Sequence, residues 1–315
     1  MKNKEIGSYF ELELPKEREY HENAISLNLG RNALRYIIRA HKIKKIYVPY
    51  YTCSTVWDAI KAENCEYIYY DIDKNFMPIC NFSKEDYIIY TNYFGICTEN
   101  INSLVKKYKN LIIDNTMAFY SHPKGIASFY SARKFFGVSD GAYLYSSKKL
   151  DEIFELDVSY ERFIPCLKKL ELGSNAGYLD VVKNEKNNCS EPIKQMSKLT
   201  KFILQSIDYN RAKQKRLENS TFIHNELKQY NELDFDINQD NIPMRYPFMI
   251  KNSKIKENCL KDNIYVATYW GIDENFFPKN STAKYFQKYI FPIPIDQRYD
   301  LNDMERIVRR IKEVI

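Results

Sequence analysis

The sequence predicts an α/β protein: a large domain built on a mostly parallel mixed sheet with helices on both faces, and a small C-terminal α+β domain. Three observations carry this. β-Prone runs alternate with amphipathic helical runs from Arg31 to Ile113, the pattern that βαβ units produce. A polar connection rich in Asn and Lys, residues 183–197, interrupts the apolar patterning as a domain boundary does. The 315 residues supply volume for two cores, one over residues 1–197 with an N-terminal arm and one over 198–315.

In chain order, residues 1–24 are polar and aromatic, and Glu11, Glu13 and Pro15 break any long element. They predict an irregular arm that packs late or at a subunit contact. In 31–41, Ala33, Leu34, Ile37 and Ile38 fall on one helical face. Then follow a strand over 45–48, a helix over 54–63, strands over 66–70 and 87–91, a helix over 101–108 and a strand over 111–113. Two further β-prone runs, 126–130 and 142–145, flank a turn-rich centre that holds Ser131, Arg133, Lys134, Gly137, Asp140 and Gly141. Residues 198–230 carry a long helical pattern, 243–250 and 264–269 read as strands, and 302–314 as an amphipathic helix with Met304, Ile307, Val308 and Ile311 on its apolar face. No repeat or low-complexity segment interrupts the chain.

Composition narrows the function classes. The net charge is +6, but the basic residues come in small groups interleaved with 41 acidic ones, without the stripe or motif that nucleic-acid binding needs. A mildly positive surface suits anionic, phosphorylated substrates. The first eight residues are charged, with no apolar core of signal-peptide length, and no run approaches a membrane span, so a cytoplasmic protein is expected. The seven cysteines are odd in number and include no C-x-x-C pair. They predict reduced thiols, mostly small core residues, and no metal site.

The chemistry points to Lys134. A lysine held between two strands, among apolar neighbours and beside Arg133, is desolvated and meets a like charge, both of which favour the neutral, nucleophilic amine. The bland alternative is a surface lysine on a hairpin. Upstream, a short apolar strand ends in the carboxylate of Asp114, and Leu29-Gly30-Arg31-Asn32-Ala33-Leu34 opens an amphipathic helix. Taken singly, Asp114 reads equally as a turn residue, Gly30 as a helix cap and Ser131 as a turn hydroxyl.

In this order the elements resemble fold type I pyridoxal-phosphate enzymes, and among them the nucleotide-sugar aminotransferases of the DegT/StrS type. Gly30, Ala33 and Leu34 match the family's Ser-Gly-Thr-x-Ala-Leu helix start, with Arg31 in the Thr position. Val48, Pro49 and Thr52 match its Val-Pro-x-x-Thr segment, Asp71 and Asp73 its Asp-x-Asp, and Phe94 and Gly95 its aromatic-Gly element. Asp114 matches the Asp that pairs with the cofactor ring, and Lys134, with Asp140 and Gly141 after it, the Schiff-base Lys. The stretch 291–299 is similar to its C-terminal Leu-Pro-x-x element. The resemblance implies pyridoxal 5'-phosphate as cofactor, an amino-acid donor (glutamate), a keto-sugar nucleotide acceptor and a homodimer. It implies that Lys134 bonds the cofactor and then moves a proton, and that Asp114 keeps the ring nitrogen protonated. Gly30, Arg31 and Ser131 would hold the phosphate, the first helix adding free amides and its positive dipole end, and Asn32, Cys53 and Met117 count among the cofactor-binding positions.

The departures are as specific. Cys53 stands where the family stacks an aromatic on the ring, and Met117 where it has a Gln. Phe129 takes the place of the Ser five residues before the Lys, with Ser128 and Ser131 to either side. Asn175 is the candidate for the asparagine lent by a neighbouring subunit. Two other readings follow. The related dehydratases carry His at the Schiff-base position, against which Lys134 argues. A catalytically eroded relative serving as a binding or regulatory protein would explain Cys53 and Met117.

Overall fold

The computed structural model describes residues 6–252, 254–270 and 276–315. One mixed sheet organises the large part of the chain. Its strands are β1 (Ile25–Leu27), β2 (Lys45–Pro49), β3 (Glu66–Ile72), β4 (Pro78–Ile79), β5 (Tyr87–Thr91), β6 (Leu111–Asp114), β7 (Ala127–Ser131) and β8 (Ala142–Ser146), in the order β1-β8-β7-β6-β5-β2-β3-β4. From β3 to β7 the pairs are parallel, while β1, β8 and β4 run antiparallel at the edges. The expected α/β class and its mixed sheet are therefore present. Alternation explains how the sheet is covered: Leu111 and Ile113 of β6 enter one core and Ile112 the other. Helices α1 (Gly30–His41) and α2 (Ser54–Ala62) close the Ile112 face with Ile37 and Ile60, and α3 (Thr98–Lys107) closes the opposite face with Ile101 and Leu104.

Several expectations change here. Tyr51, Tyr90, Tyr93, Tyr130, Tyr143 and Tyr246 are fully buried in this chain's own cores. Of the cysteines only Cys65, Cys97 and Cys259 are buried, and Cys189 is exposed; all are free thiols. The arm has no helix or strand in its described part, and its first five residues lie outside the described set. Its end, at Glu19 and His21, is buried against β8: the Tyr143 hydroxyl donates to Glu19 at 2.7 Å, and the His21 ring lies 4.3 Å from that of Tyr130.

Beyond the sheet come α4 (Ile164–Leu172), α5 (Tyr178–Asn188), α6 (Lys198–Leu204) and α7 (Tyr209–Leu227). The polar connection is thus helical as far as Asn188. The long helical pattern is broken at 205–208, because Asp208 caps a new helix by accepting from the Arg211 amide. The small sheet pairs β9 (Tyr246–Met249) antiparallel with β10 (Ile290–Ile293). Residues 264–269, read as a strand, join no ladder: the Ile264 amide turns back to the Cys259 carbonyl and ends α8 (Ile255–Leu260). β10 takes that place although Pro292 faces Pro247, which a two-stranded ribbon tolerates because its outer edges need no partner. After α9 (Thr282–Tyr289), helix α10 (Leu301–Lys312) starts at a reciprocal Asp300–Asp303 capping box and buries Met304, Ile307, Val308 and Ile311.

Candidate functional site

β6 and β7 are parallel neighbours, with Asp114 opposite Phe129, so their carboxyl ends bring Asp114 and Ser131 to one rim of the sheet. The N-terminus of α1 meets this rim, and the three frame a cavity of about 250 Å³. Of the sequence-predicted residues, Gly30, Arg31, Cys53, Asp114, Ser131 and Lys134 line it.

Asp114 is buried, and its Oδ1 accepts from the Thr116 amide at 2.8 Å, an Asx-type turn that holds the carboxylate at the strand end. Burial pushes its carboxyl up from the ordinary value, while Lys134 and the bonds from Thr116 pull the other way. Lys134 donates from Nζ to Thr116 Oγ1 at 2.8 Å, so one threonine ties both charged groups. The expected desolvation of Lys134 is not found. The short helical turn after β7 carries its side chain out to the cavity rim, where it is exposed, while Phe135 and Phe136 turn inward. Arg133 beside it is ion-paired with Glu185 of α5.

At the α1 end, the amides of Gly30 and Arg31 precede any carbonyl of their own helix that could accept from them. A Cβ on Gly30 would meet Thr116 Cγ2 at 3.3 Å and press on the residue that positions Lys134. Arg31 Nη1 is buried without a hydrogen-bond partner. Such an orphan is costly unless a ligand satisfies it.

Other predicted residues lie elsewhere. Asn32 is buried behind α1, its Nδ2 donating to Asn28 Oδ1 at 3.0 Å and to the Pro192 carbonyl at 2.7 Å. Met117 is in the core, its carbonyl against Gly95, whose φ of +86° and backbone contacts under 3 Å leave no room for a side chain. Ser128 faces away and donates to the Lys124 carbonyl. Asp140 is a buried tie, accepting from the Ser197 amide and hydroxyl at 2.8 Å each. Asn175 lines a different cavity. Conversely, Thr116, Arg133, Glu185 and Trp270 line the cleft without having been singled out as site residues. The Asp-x-Thr spacing at the end of β6 could have signalled Thr116. Glu185 and Trp270 arrive from distant segments and leave no local trace. Among the described residues no cluster of His, Cys, Asp and Glu could hold a metal, and no helix is long and apolar enough to cross a membrane.

A parallel-centred sheet with a lysine, a buried carboxylate and a helix N-terminus at its carboxyl rim defines the class, and solved structures supply the match. No family model matches the sequence, nor does any curated protein. The chain has the fold of a DegT DnrJ EryC1 StrS aminotransferase from Brucella abortus, at 12% identity and TM-score 0.63, covering 92% of this chain and 85% of that one. It is equally similar to NtdA from Bacillus subtilis with bound cofactor PMP (14% identity, TM-score 0.65, 92% and 72% covered). A third is the E. coli GDP-4-keto-6-deoxy-D-mannose-3-dehydratase with bound hydrated PLP (14%, 0.64, 91% and 87%). The fold type that the motifs implied is thus the one observed.

Proposed function

We propose that this chain is a pyridoxal-phosphate-dependent aminotransferase that moves an amino group from an amino acid, glutamate as the family resemblance implies, to a keto-sugar nucleotide in surface-glycan or related sugar biosynthesis. One observation carries the reading: the Lys134 amine, the buried Asp114 carboxylate and the α1 N-terminus with its orphaned Arg31 nitrogen meet in one cavity. These groups fit the cofactor. Amides and a guanidinium suit its phosphate, and a buried carboxylate suits a protonated ring nitrogen. When bound, the cofactor supplies the electron sink.

The residues would divide the remaining work. Asp114 would keep a proton on the ring nitrogen. Thr116 holds the Lys134 Nζ at the cavity rim, where that amine would anchor the cofactor and serve as the proton-carrying base. Gly30, Arg31 and Ser131 would hold the phosphate. Solved neighbours described as an aminotransferase and as a dehydratase support a sugar-modifying enzyme in general, and Lys134 favours transfer over dehydration. Incubation with pyridoxal phosphate should give a visible absorbance band that borohydride fixes onto Lys134, located by peptide mass. A protein that stays colourless would favour the eroded, non-catalytic relative, the reading that Cys53 at the cleft wall supports.

A cytoplasmic homodimer belongs to the same proposal. Its support is an apolar surface concentrated in one span, where Ile153, Val158, Leu167, Leu170, Leu172 and Leu179 are all exposed. Light scattering that reports only monomer at micromolar concentration would remove the dimer. The division at residues 197 and 198 is likewise proposed, supported by the separate core that β9, β10 and α10 share.

A further inference from the structure

A flat heteroaromatic ring held in a cleft needs a flat apolar face to lie against. Two aromatic side chains line the cavity at Lys134, Phe129 and Trp270. Phe129 is only 2% exposed and belongs to the core beneath α1 and α2. Cys53, on the same wall, offers no ring, and its Sγ accepts from Thr55 Oγ1 at 3.2 Å. Trp270 is half-buried and packs against the core of the other sheet face, so it approaches the cleft from the side away from α1.

Trp270 is also held in place. The Tyr51 hydroxyl donates to the carbonyl of the preceding Tyr269 at 3.0 Å, and Tyr51 itself is fully buried. The indole meets the Tyr51 ring at 4.8 Å and 65°, the Tyr93 ring at 6.4 Å and 60°, and the Tyr269 ring at 6.0 Å and 40°. None of these three rings lies flat on it. The indole is thus fixed by angled contacts and keeps a face without a stacked partner, an arrangement that costs little further ordering when a ligand binds. The buried Asp114 carboxylate in the same cavity suits a cationic ring nitrogen, and of the aromatic side chains Trp is the best partner for a cation.

We propose that Trp270 is a cofactor-positioning residue whose indole face packs against the cofactor ring, on the wall where Cys53 supplies no aromatic surface. This rests on the cofactor reading given above.

Pyridoxine phosphate tests it in the full chain, because this analogue has no aldehyde and its binding does not require a bond to Lys134. The chain has two tryptophans, and Trp57 is not on the cleft wall but against Phe276, at 4.8 Å between rings. Labelled with fluorotryptophan, the protein should give two fluorine resonances, assigned with Trp57→Phe. Saturation with pyridoxine phosphate should shift the Trp270 resonance much more than that of Trp57. By calorimetry, Trp270→Leu should weaken binding about tenfold, the scale of an aromatic contact joined to a cation–π contact, and Trp270→Phe should retain most of the affinity. Should Trp270→Leu fail to fold, the fluorine resonance of the unsubstituted chain still decides. A wild type that binds no pyridoxine phosphate, a Trp270 resonance unmoved at saturation, or equal affinities for Trp270→Leu and wild type would each overturn the proposal. The visible band on Lys134 judges the cofactor reading separately, so a chain that shows the band with an unmoved Trp270 resonance would lose this inference alone.

Discussion

The cleft and the adjoining cavity lined by Lys169, Arg245, Arg298 and Arg306 are both rich in cations, but they balance them differently. In the cleft, Asp114 and Glu185 stand among Arg31, Arg133 and Lys134, so the wall carries both signs. In the cavity, Asp296 and Asp262 are already bound to Arg298 and Arg306, and the unmatched charges are all positive. Charge count alone therefore does not tell the two apart. What separates them is a carboxylate, buried and free of any arginine, at the end of β6. A wall with both signs can take a ligand with a cationic atom at one end and an oxyanion at the other, while a wall of one sign takes the oxyanion only.

Removing the nucleophile should have the largest effect. Lys134→Ala should abolish the borohydride-fixed label and slow single-turnover reaction with glutamate by about 10⁴-fold, the upper range for loss of a positioned acid–base group. A label that persists in this variant would place the chemistry on another lysine.

Asp114→Asn comes next, because it makes the cleft resemble the cavity. The amide is isosteric, so the pocket and the visible band should survive, but it cannot stabilise a protonated ring nitrogen. At an effective dielectric near 20 and about 4 Å, such a pair is worth roughly 4 kcal/mol, or about a thousandfold in rate. A variant with the wild-type single-turnover rate would reduce Asp114 to a strand-end residue. Arg31→Ala should act more mildly. Losing one charge-assisted bond should weaken pyridoxal-phosphate affinity by about 10- to 100-fold, leaving the rate at saturation near that of wild type. Equal affinities would mean that the α1 amides hold the phosphate without help.

How far the sequence reached follows the same division. The cleft was legible because its parts are local: a hydrophobic strand ending in Asp114, a glycine at the start of α1 and a lysine after β7 each leave a signature within a few residues. The burial of Lys134 was misjudged because apolar neighbours in sequence, Phe135 and Phe136, turn inward while the lysine turns out. Glu185 and the cavity at Arg245 were not legible. They depend on how α5 and the small sheet dock, and nothing within either segment encodes its partner. The strand β10 was hidden by its prolines, and residues 264–269 looked like a strand because Ile264 is buried, although its backbone only closes a helix. Where pattern reports burial and not pairing, it cannot choose between the two.

Acid separates effects on either site from effects on the scaffold beneath them, and His21 governs the comparison. Its Nε2 lies 2.8 Å from the Phe119 carbonyl and its Nδ1 3.2 Å from the Tyr145 hydroxyl, so the neutral ring satisfies both by donating at one nitrogen and accepting at the other. Burial holds it down at about 4, against 6.5 for an ordinary histidine. Between those values the unfolded chain binds a proton that the folded chain does not. Stability is therefore full above about pH 6.5 and falls as the pH drops toward 4, by about 1.4 kcal/mol per unit. Asp114 works in the opposite sense, since burial raises its carboxyl and acid then favours the folded form. Urea unfolding at pH 7 and pH 5 should show wild type losing about 2 kcal/mol, and His21→Gln, which cannot take up the proton, losing clearly less. Equal losses in the two proteins would move the acid sensitivity to other groups. Any fall in cofactor binding over that range would then have to be traced to the cleft itself.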